Sequence, residues 1–222
     1  MQKTPAPWGA IFDWDGVIID SRRHHEESWE RLALEEKKEL PAGHFIQGFG
    51  RKNDYIISEI LKWTTDAGEI GRVALRKEAI YREIVGEWGI EPLAGVREWL
   101  SALQEAGVPC AIGSSTHRAN IDLSLGLMGL EPFFAEIVSA EDVTCGKPDP
   151  QVFLTAARKI GREPTRCVVF EDAHVGIEAA RAGGMRVVAV ATTHPPEELK
   201  VADRVVVRMD ELTPDEFSRW FG

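Results

Sequence analysis

Two aspartates, Asp13 and Asp15, close the apolar run from Trp8 to Phe12, and Gly16 follows them at once in IFDWDGVIIDS. In an extended backbone, side chains at i and i+2 leave on the same side. The pair is therefore expected to project two carboxyl groups into one pocket at the carboxyl end of a strand, the edge where open α/β sheets bind ligands. Two carboxyls so close do not both ionise cheaply: either a cation lies between them or one keeps a proton. Both states are useful to an enzyme that attacks phosphorus.

Three further groups follow in order. Ser114 ends the run VPCAIGS, with Ser115 and Thr116 placed to begin the next helix; helix capping is the alternative reading of these hydroxyls. Lys147 stands in a rigid turn between Gly146 and Pro148, where a lysine has no helical or strand role and a solvated charge is the alternative. Glu171 and Asp172 end the run CVVF and precede AHVGIEAA, where capping of a helix N-terminus would also explain two anions. Order and position favour the chemical reading, because all four sites fall on one edge of one predicted sheet.

The elements that must position them alternate short apolar runs with amphipathic patterns. Strands are expected at W8–F12, V108–I112, I137–V138, C167–F170, V187–V190 and V205–V207, most of them continuous apolar runs of the kind buried on both faces by helices. Between them GVREWLSALQEAG repeats Val96, Trp99, Leu100 and Leu103, and DPQVFLTAARKIG repeats Val152, Phe153, Ala156, Ala157 and Ile160, at helical spacing. These β-α-β units predict a doubly wound, Rossmann-like parallel sheet. From about Ser21 to Ile90 the alternation stops. Three helical stretches fill the interval, RRHHEESWERLALEEKK, RKNDYIISEILKW and GEIGRVALRKEAIYREIVGEW, the last with Ile70, Val73, Ala74, Ile80, Tyr81, Ile84 and Trp88 on one face. The expected organisation is an α/β core of residues 1–20 and 91–222 with an all-helical cap domain of residues 21–90, hinged at IDS and EPLAG. THPPEEL, with early prolines and glutamates, reads as a helix start.

Composition limits the partners. The 222 residues are 44% hydrophobic, and 26 Lys+Arg against 36 Asp+Glu give a formal charge of −10, which argues against nucleic acid or an anionic membrane as partner. Cys110, Cys145 and Cys167 are sparse and odd in number, as expected of free thiols in a reducing compartment. No stretch approaches the ~20 apolar residues of a membrane span. A cytoplasmic protein, monomeric or weakly dimeric, is expected. There is no GxGxxG after a strand, no P-loop, no HExxH and no GxSxG. The tryptophans fall at helical spacing or beside strands, as core residues do.

The ordered set resembles the haloacid dehalogenase superfamily of phosphotransferases, with DWDGV as its first motif, Ser114 as its second, Lys147 as its third and EDAHVG as its fourth. The resemblance covers essentially the whole chain, including a helical cap between the first and second motifs. It implies that Asp13 is a nucleophile forming an aspartyl phosphate, which divides one displacement into two easier ones. Mg²⁺, held by Asp13, the Asp15 carbonyl and Asp172, would neutralise the phosphate. Lys147 would add a fixed charge beside Asp13, Ser114 would donate to a phosphoryl oxygen, and Glu171 would orient a metal-bound water. Asp15, protonated, would serve as acid toward the leaving oxygen and then as base toward water. A carboxylic acid at that position favours a phosphate ester over a carbon–halogen or carbon–phosphorus bond.

Within the superfamily, FDWDGVIIDSRRHHEESW resembles the β-phosphoglucomutase and phosphatase branch. That likeness aligns His25 with a histidine coupling cap closure to Asp15 and Arg51 with an arginine gripping a distal phosphate, although adjacent histidines also suit a solvated helix face. Gln47 stands where the mutase carries lysine, and His117 and Arg118 follow Thr116 where it has Lys and Asn. Ser115, Thr116 and Arg118 complete the expected substrate contacts. The resulting expectation is a Mg²⁺-dependent phosphatase of a small phosphorylated metabolite such as a sugar phosphate, with a sugar phosphomutase as the alternative and a non-catalytic phospho-ligand-binding module as a third reading.

Overall fold

The computed structural model describes residues 6–48 and 51–221; Phe49 and Gly50 of the QGFGR stretch lie outside the described residues. Six parallel strands form one sheet: β1 (Gly9–Phe12), β2 (Cys110–Gly113), β3 (Glu136–Val138), β4 (Cys167–Glu171), β5 (Arg186–Val190) and β6 (Arg204–Val206), in the order β3-β2-β1-β4-β5-β6. All six lie where apolar runs predict them, with ends shifted by a residue or two. The winding runs outward from β1 through β2 to β3, then returns to the other side of β1 with β4, so the direction switches between β1 and β4. That crevice is where doubly wound sheets hold ligands.

The strands read as continuous apolar runs because both faces are covered. Ala10, Phe12, Cys110, Ile112, Val168, Phe170, Val188 and Val190 enter one core cluster. Ile11, Ala111, Cys167, Val169, Val187 and Ala189 enter the other, as the two-residue period of a strand requires. The expected stripes bury as predicted: Val96, Trp99, Leu100 and Leu103 of α5 (Val96–Glu105) on the first face, and Val152, Phe153, Ala156 and Ala157 of α7 (Gln151–Lys159) on the second. α6 (Arg118–Met128), α8 (His174–Ala182) and α9 (Pro214–Ser218) complete the layers. No helix among the described residues is long and apolar enough to cross a membrane.

The helical insertion carries a smaller core of its own. α1 (Arg22–Glu36) packs on α4 (Ala67–Trp88), with α2 (His44–Gly48) and α3 (Asn53–Tyr55) between them. Trp29 and Leu32 meet Val73, Ile80 and Ile84, together with Ile56, Ile57 and Leu61. The stretch RKNDYIISEILKW departs from the expected regular helix: after α3 it widens into a π-helical turn over Ile56–Ile60, closed by Leu61 N–H donating to the Ile56 carbonyl at 2.8 Å. The wider turn lets Ile56, Ile57 and Leu61 all bury. Trp88, expected on the buried stripe, is 47% exposed at the end of α4, where Arg23 and Arg31 lie over its ring. The two connections to the core run side by side at the expected hinges, with Leu93 N–H donating to the Ile18 carbonyl at 2.8 Å. THPPEEL is not a helix: residues 195–199 form turns, with Glu198 N–H donating to the Pro195 carbonyl at 3.0 Å.

Candidate active site

Asp13 lies one residue beyond β1, beside the end of β4, where its N–H donates to the Phe170 carbonyl at 2.9 Å. Beneath it Phe12 and Phe170 stack with ring centres 4.6 Å apart, so neighbouring strands deliver Asp13 and the Glu171–Asp172 pair to one spot on an apolar floor. Gly16 closes the turn at φ +78°, and a Cβ there would come within 2.0 Å of Asp172 Oδ2. Both the conformation and the approach of Asp172 require glycine.

Lys147 is buried between two carboxylates, its Nζ 2.9 Å from Asp13 Oδ2 and 2.7 Å from Glu171 Oε1. The other oxygen of Glu171 accepts the Ala173 N–H, so Glu171 acts here as the holder of Lys147 and as an anion at the start of α8. The solvated-lysine and simple-capping alternatives are thereby answered: Lys147 is buried and paired, and Glu171 stands just before α8 without capping its first-turn N–H groups. On the far side, Thr193 Oγ1 donates to Asp172 Oδ2 at 2.7 Å.

Two buried oxygens are left over. Among the described residues Asp13 Oδ1 and Asp172 Oδ1 have no hydrogen-bond partner, and Asp13, Glu171 and Asp172 present carboxylate oxygens within 4.8 Å of one another. Burial is the strongest influence on Asp13; Lys147 opposes it, Glu171 and Asp15 reinforce it, and the carboxyl is pushed up to about 7. Burial, then Glu171 and Asp13, raise Asp172 well above the usual carboxylate range. Crowded, desolvated acids with unpartnered oxygens fit a hard divalent cation, and the all-oxygen donor set suits Mg²⁺.

Asp15 has a different set of partners. Ser21 and Thr116 hydroxyls both donate to its carboxylate, and His25 Nε2 lies 3.3 Å from it. Burial alone would raise its pKa, but His25 and the two hydroxyls hold it well below the usual range. The expectation of a protonated Asp15 is therefore not met in this conformation, because three donors surround the ionised form. His25 stacks on Tyr81 at 4.2 Å and meets Lys77 Nζ through Nδ1 at 2.7 Å, so it is not on a solvated face; His24 instead bonds to the Gly89 carbonyl at 2.9 Å.

These groups open into a cavity of about 550 Å³ between core and cap, lined among others by Asp13, Asp15, His25, Arg51, Ser114, Ser115, Thr116, Lys147 and Asp172. Ser115 and Thr116 do not start a helix; α6 begins at Arg118, after His117. Arg51 reaches the cavity with its guanidinium 4.6 Å from the Tyr55 ring centre. Arg118 is a correction: its guanidinium pairs with Asp122 at 2.8 Å along α6 and is absent from the cavity wall, because the register of the helix turns it outward, leaving His117 at the wall.

Sequence reasoning missed Lys77, Glu78, Asn53, Asn120 and Thr193. Lys77 pairs with Glu78 at 3.0 Å, both buried; Asn120 of α6 donates to Glu78, and Asn53 donates to it at 2.6 Å. The signal was present, since Lys77 lies four residues after Val73 and four before Tyr81, inside the apolar stripe of α4.

The geometry has close relatives. The family profile of the haloacid dehalogenase-like hydrolases matches residues 9–184. A chloroplastic 5-amino-6-(5-phospho-D-ribitylamino)uracil phosphatase of Arabidopsis thaliana is 41% identical over 92% of this chain, which spans 55% of that protein. A fructose-1-phosphate phosphatase of Escherichia coli (strain K12) is 32% identical over 82% of this chain and 95% of its own length. A solved β-phosphoglucomutase from Clostridium difficile shares the fold, with a TM-score of 0.84 at 24% identity, covering 98% of this chain and 97% of the other. The chain belongs to the haloacid dehalogenase-like hydrolases.

Proposed function

We propose that this chain is a Mg²⁺-dependent phosphatase that hydrolyses a small phosphorylated metabolite through an aspartyl phosphate on Asp13, with residues 21–90 as cap over a core of 1–20 and 91–222. The observation that carries this is the pair of unpartnered oxygens, Asp13 Oδ1 and Asp172 Oδ1, beside the buried Lys147 in the wall of the cavity. Asp13, Asp172 and the Asp15 carbonyl would hold Mg²⁺, which supplies charge neutralisation of the phosphate when bound. Lys147 holds Asp13 in place and adds a fixed positive charge beside the attacking carboxylate. Ser114 and Thr116 border the phosphate. Asp15 gives a proton to the leaving oxygen and takes one from water; its ionised state here is the one the second role needs.

The cavity supports a substrate larger than a bare sugar phosphate. Trp29, Phe45, Ile56, Ile70 and Ala74 form an apolar wall, with Lys77, Glu78 and Asn53 as polar groups beside it. A phosphorylated polyol or sugar carrying a flat ring matches that division, and the substrate named for the plant relative is of this kind. A mutase must grip a second phosphate from the cap. Of the cap cations at the cavity, Lys52 is engaged, its Nζ donating to the Ala140 and Val143 carbonyls at 3.2 and 3.0 Å, and Lys77 pairs with Glu78, so a mutase would have to rely on Arg51, which lies over Tyr55 at the cavity wall. Three free cysteines support a reducing compartment such as the cytoplasm.

The test is phosphate release from a panel of phosphorylated sugars, polyols and ribityl-pyrimidines, with Mg²⁺ and after chelation. Turnover should need Mg²⁺ and fall at least about a thousandfold in Asp13→Asn. Retained turnover in that variant, or isomerisation of a sugar 1-phosphate faster than phosphate release, overturns the reading.

A further inference from the structure

Just outside the acidic pocket lies a second cluster with different chemistry. His174 opens α8, two residues after Asp172. His194 and Glu198 belong to the loop that leaves β5. His174 Nε2 is 3.9 Å and His194 Nδ1 3.7 Å from the same oxygen, Glu198 Oε2, and the imidazole centres are 4.7 Å apart. All three donor atoms lie within 4.8 Å of one another. At these separations no pair is a hydrogen bond, and neither imidazole bonds to another described residue. Two imidazole nitrogens and a carboxylate oxygen therefore lie close together without satisfying one another.

We propose that His174, His194 and Glu198 form a surface site for a borderline divalent transition-metal ion such as Zn²⁺, separate from the all-oxygen pocket of Asp13 and Asp172. Two imidazoles with one carboxylate make a recurrent three-ligand zinc set, the fourth position being left to water. Bonds of about 2.0–2.2 Å in tetrahedral directions place donor atoms roughly 3.3–3.5 Å apart. The two separations from Glu198, 3.9 and 3.7 Å, need to shrink by a few tenths of an ångström, and that between the imidazole nitrogens, within 4.8 Å, by about 1.5 Å at most, movements that half-exposed side chains can make. Mg²⁺ prefers oxygen ligands and near-ideal octahedral geometry, so it is a poor competitor here. Occupancy ties the loop bearing His194 to the first turn of α8. Thr193, which donates to both Asp172 Oδ2 and the Asp172 carbonyl, adjoins His194, so the clamp also steadies the carboxylate of the catalytic pocket.

The proposal is tested by binding and does not depend on turnover or on the phosphatase reading. Zn²⁺ is titrated against a chromophoric chelator into the whole chain held in excess Mg²⁺, for the wild type, His174→Ala, His194→Ala and Glu198→Gln. The wild type should take up one Zn²⁺ that Mg²⁺ does not displace, and each variant should bind it at least about tenfold more weakly. Zn²⁺ should raise the melting temperature of the wild type and leave that of His194→Ala unchanged. Equal Zn²⁺ affinity in the wild type and the variants, full displacement by Mg²⁺, or no uptake overturns it. Should a histidine variant fail to fold, the exposed Glu198→Gln decides: unchanged affinity there refutes the site.

Discussion

Replacing Asp13, the proposed nucleophile, should stabilise the metal-free protein. Asp13 is buried and its carboxyl is raised from 3.8 to about 7, so between those values the folded chain holds a proton that the unfolded chain has released. Stability then falls with rising pH across that window, because the folded state binds more protons. Above pH 7 the difference amounts to about 4 kcal/mol. Asparagine keeps an acceptor for Lys147 Nζ, 2.9 Å away, and removes the ionisation; Lys147 retains Glu171 as counter-charge. In excess chelator at pH 8, Asp13→Asn should be more stable than the wild type by up to about 4 kcal/mol, which is roughly 8–16 °C in melting temperature for a chain of this length. Near pH 4 the two should melt together. Added Mg²⁺ should raise the wild type more than the variant and narrow or reverse the gap. Thermal melts monitored by circular dichroism at pH 4, 6 and 8, with and without Mg²⁺, decide it. A variant that melts at or below the wild type at pH 8 in chelator, or a gain that does not change with pH, refutes the reasoning.

Two other perturbations follow from the same contacts. Gly16→Ala forces a side chain into a φ of +78° and against Asp172 Oδ2; it should cost about 1–3 kcal/mol and weaken Mg²⁺ binding, measured by denaturation and calorimetric titration. Lys77→Met leaves Glu78 buried without its ion-pair partner and His25 without its Nδ1 contact; a loss of about 3–5 kcal/mol in denaturant unfolding is expected, and restoration by Lys77→Met/Glu78→Gln should recover most of it.

The sheet was legible because its strands bury both faces, which leaves uninterrupted apolar runs such as Cys167–Phe170. Asp13, Lys147 and Asp172 were legible because strand ends and a Gly–Pro turn are poor places for chance charges. The inward set of Asp15 was not: two-residue spacing fixes a side, but the hydroxyls of Ser21 and Thr116 that capture it come from segments 6 and 101 residues away. Arg118 failed for a local reason, since Asp122 four residues on offers a helical partner that spacing alone would have revealed. Lys77 and Glu78 were overlooked because charged residues on a helix default to the solvent side, and only their placement within an apolar stripe says otherwise.

The join between cap and core is not uniform. Near the hinges, Tyr81, Val85 and Ile90 share the interior of the α/β unit with Ile18 and Ile19, and separating them would expose oily surface at about 25 cal/mol per Å². Elsewhere the joins include Lys52 to two carbonyls, Glu78 to Asn120, and Arg82 to Asn120 at 2.8 Å, polar bonds whose groups water can satisfy once they part. Widening the cavity is therefore less costly where these wettable joins part than where the greasy contact would have to open.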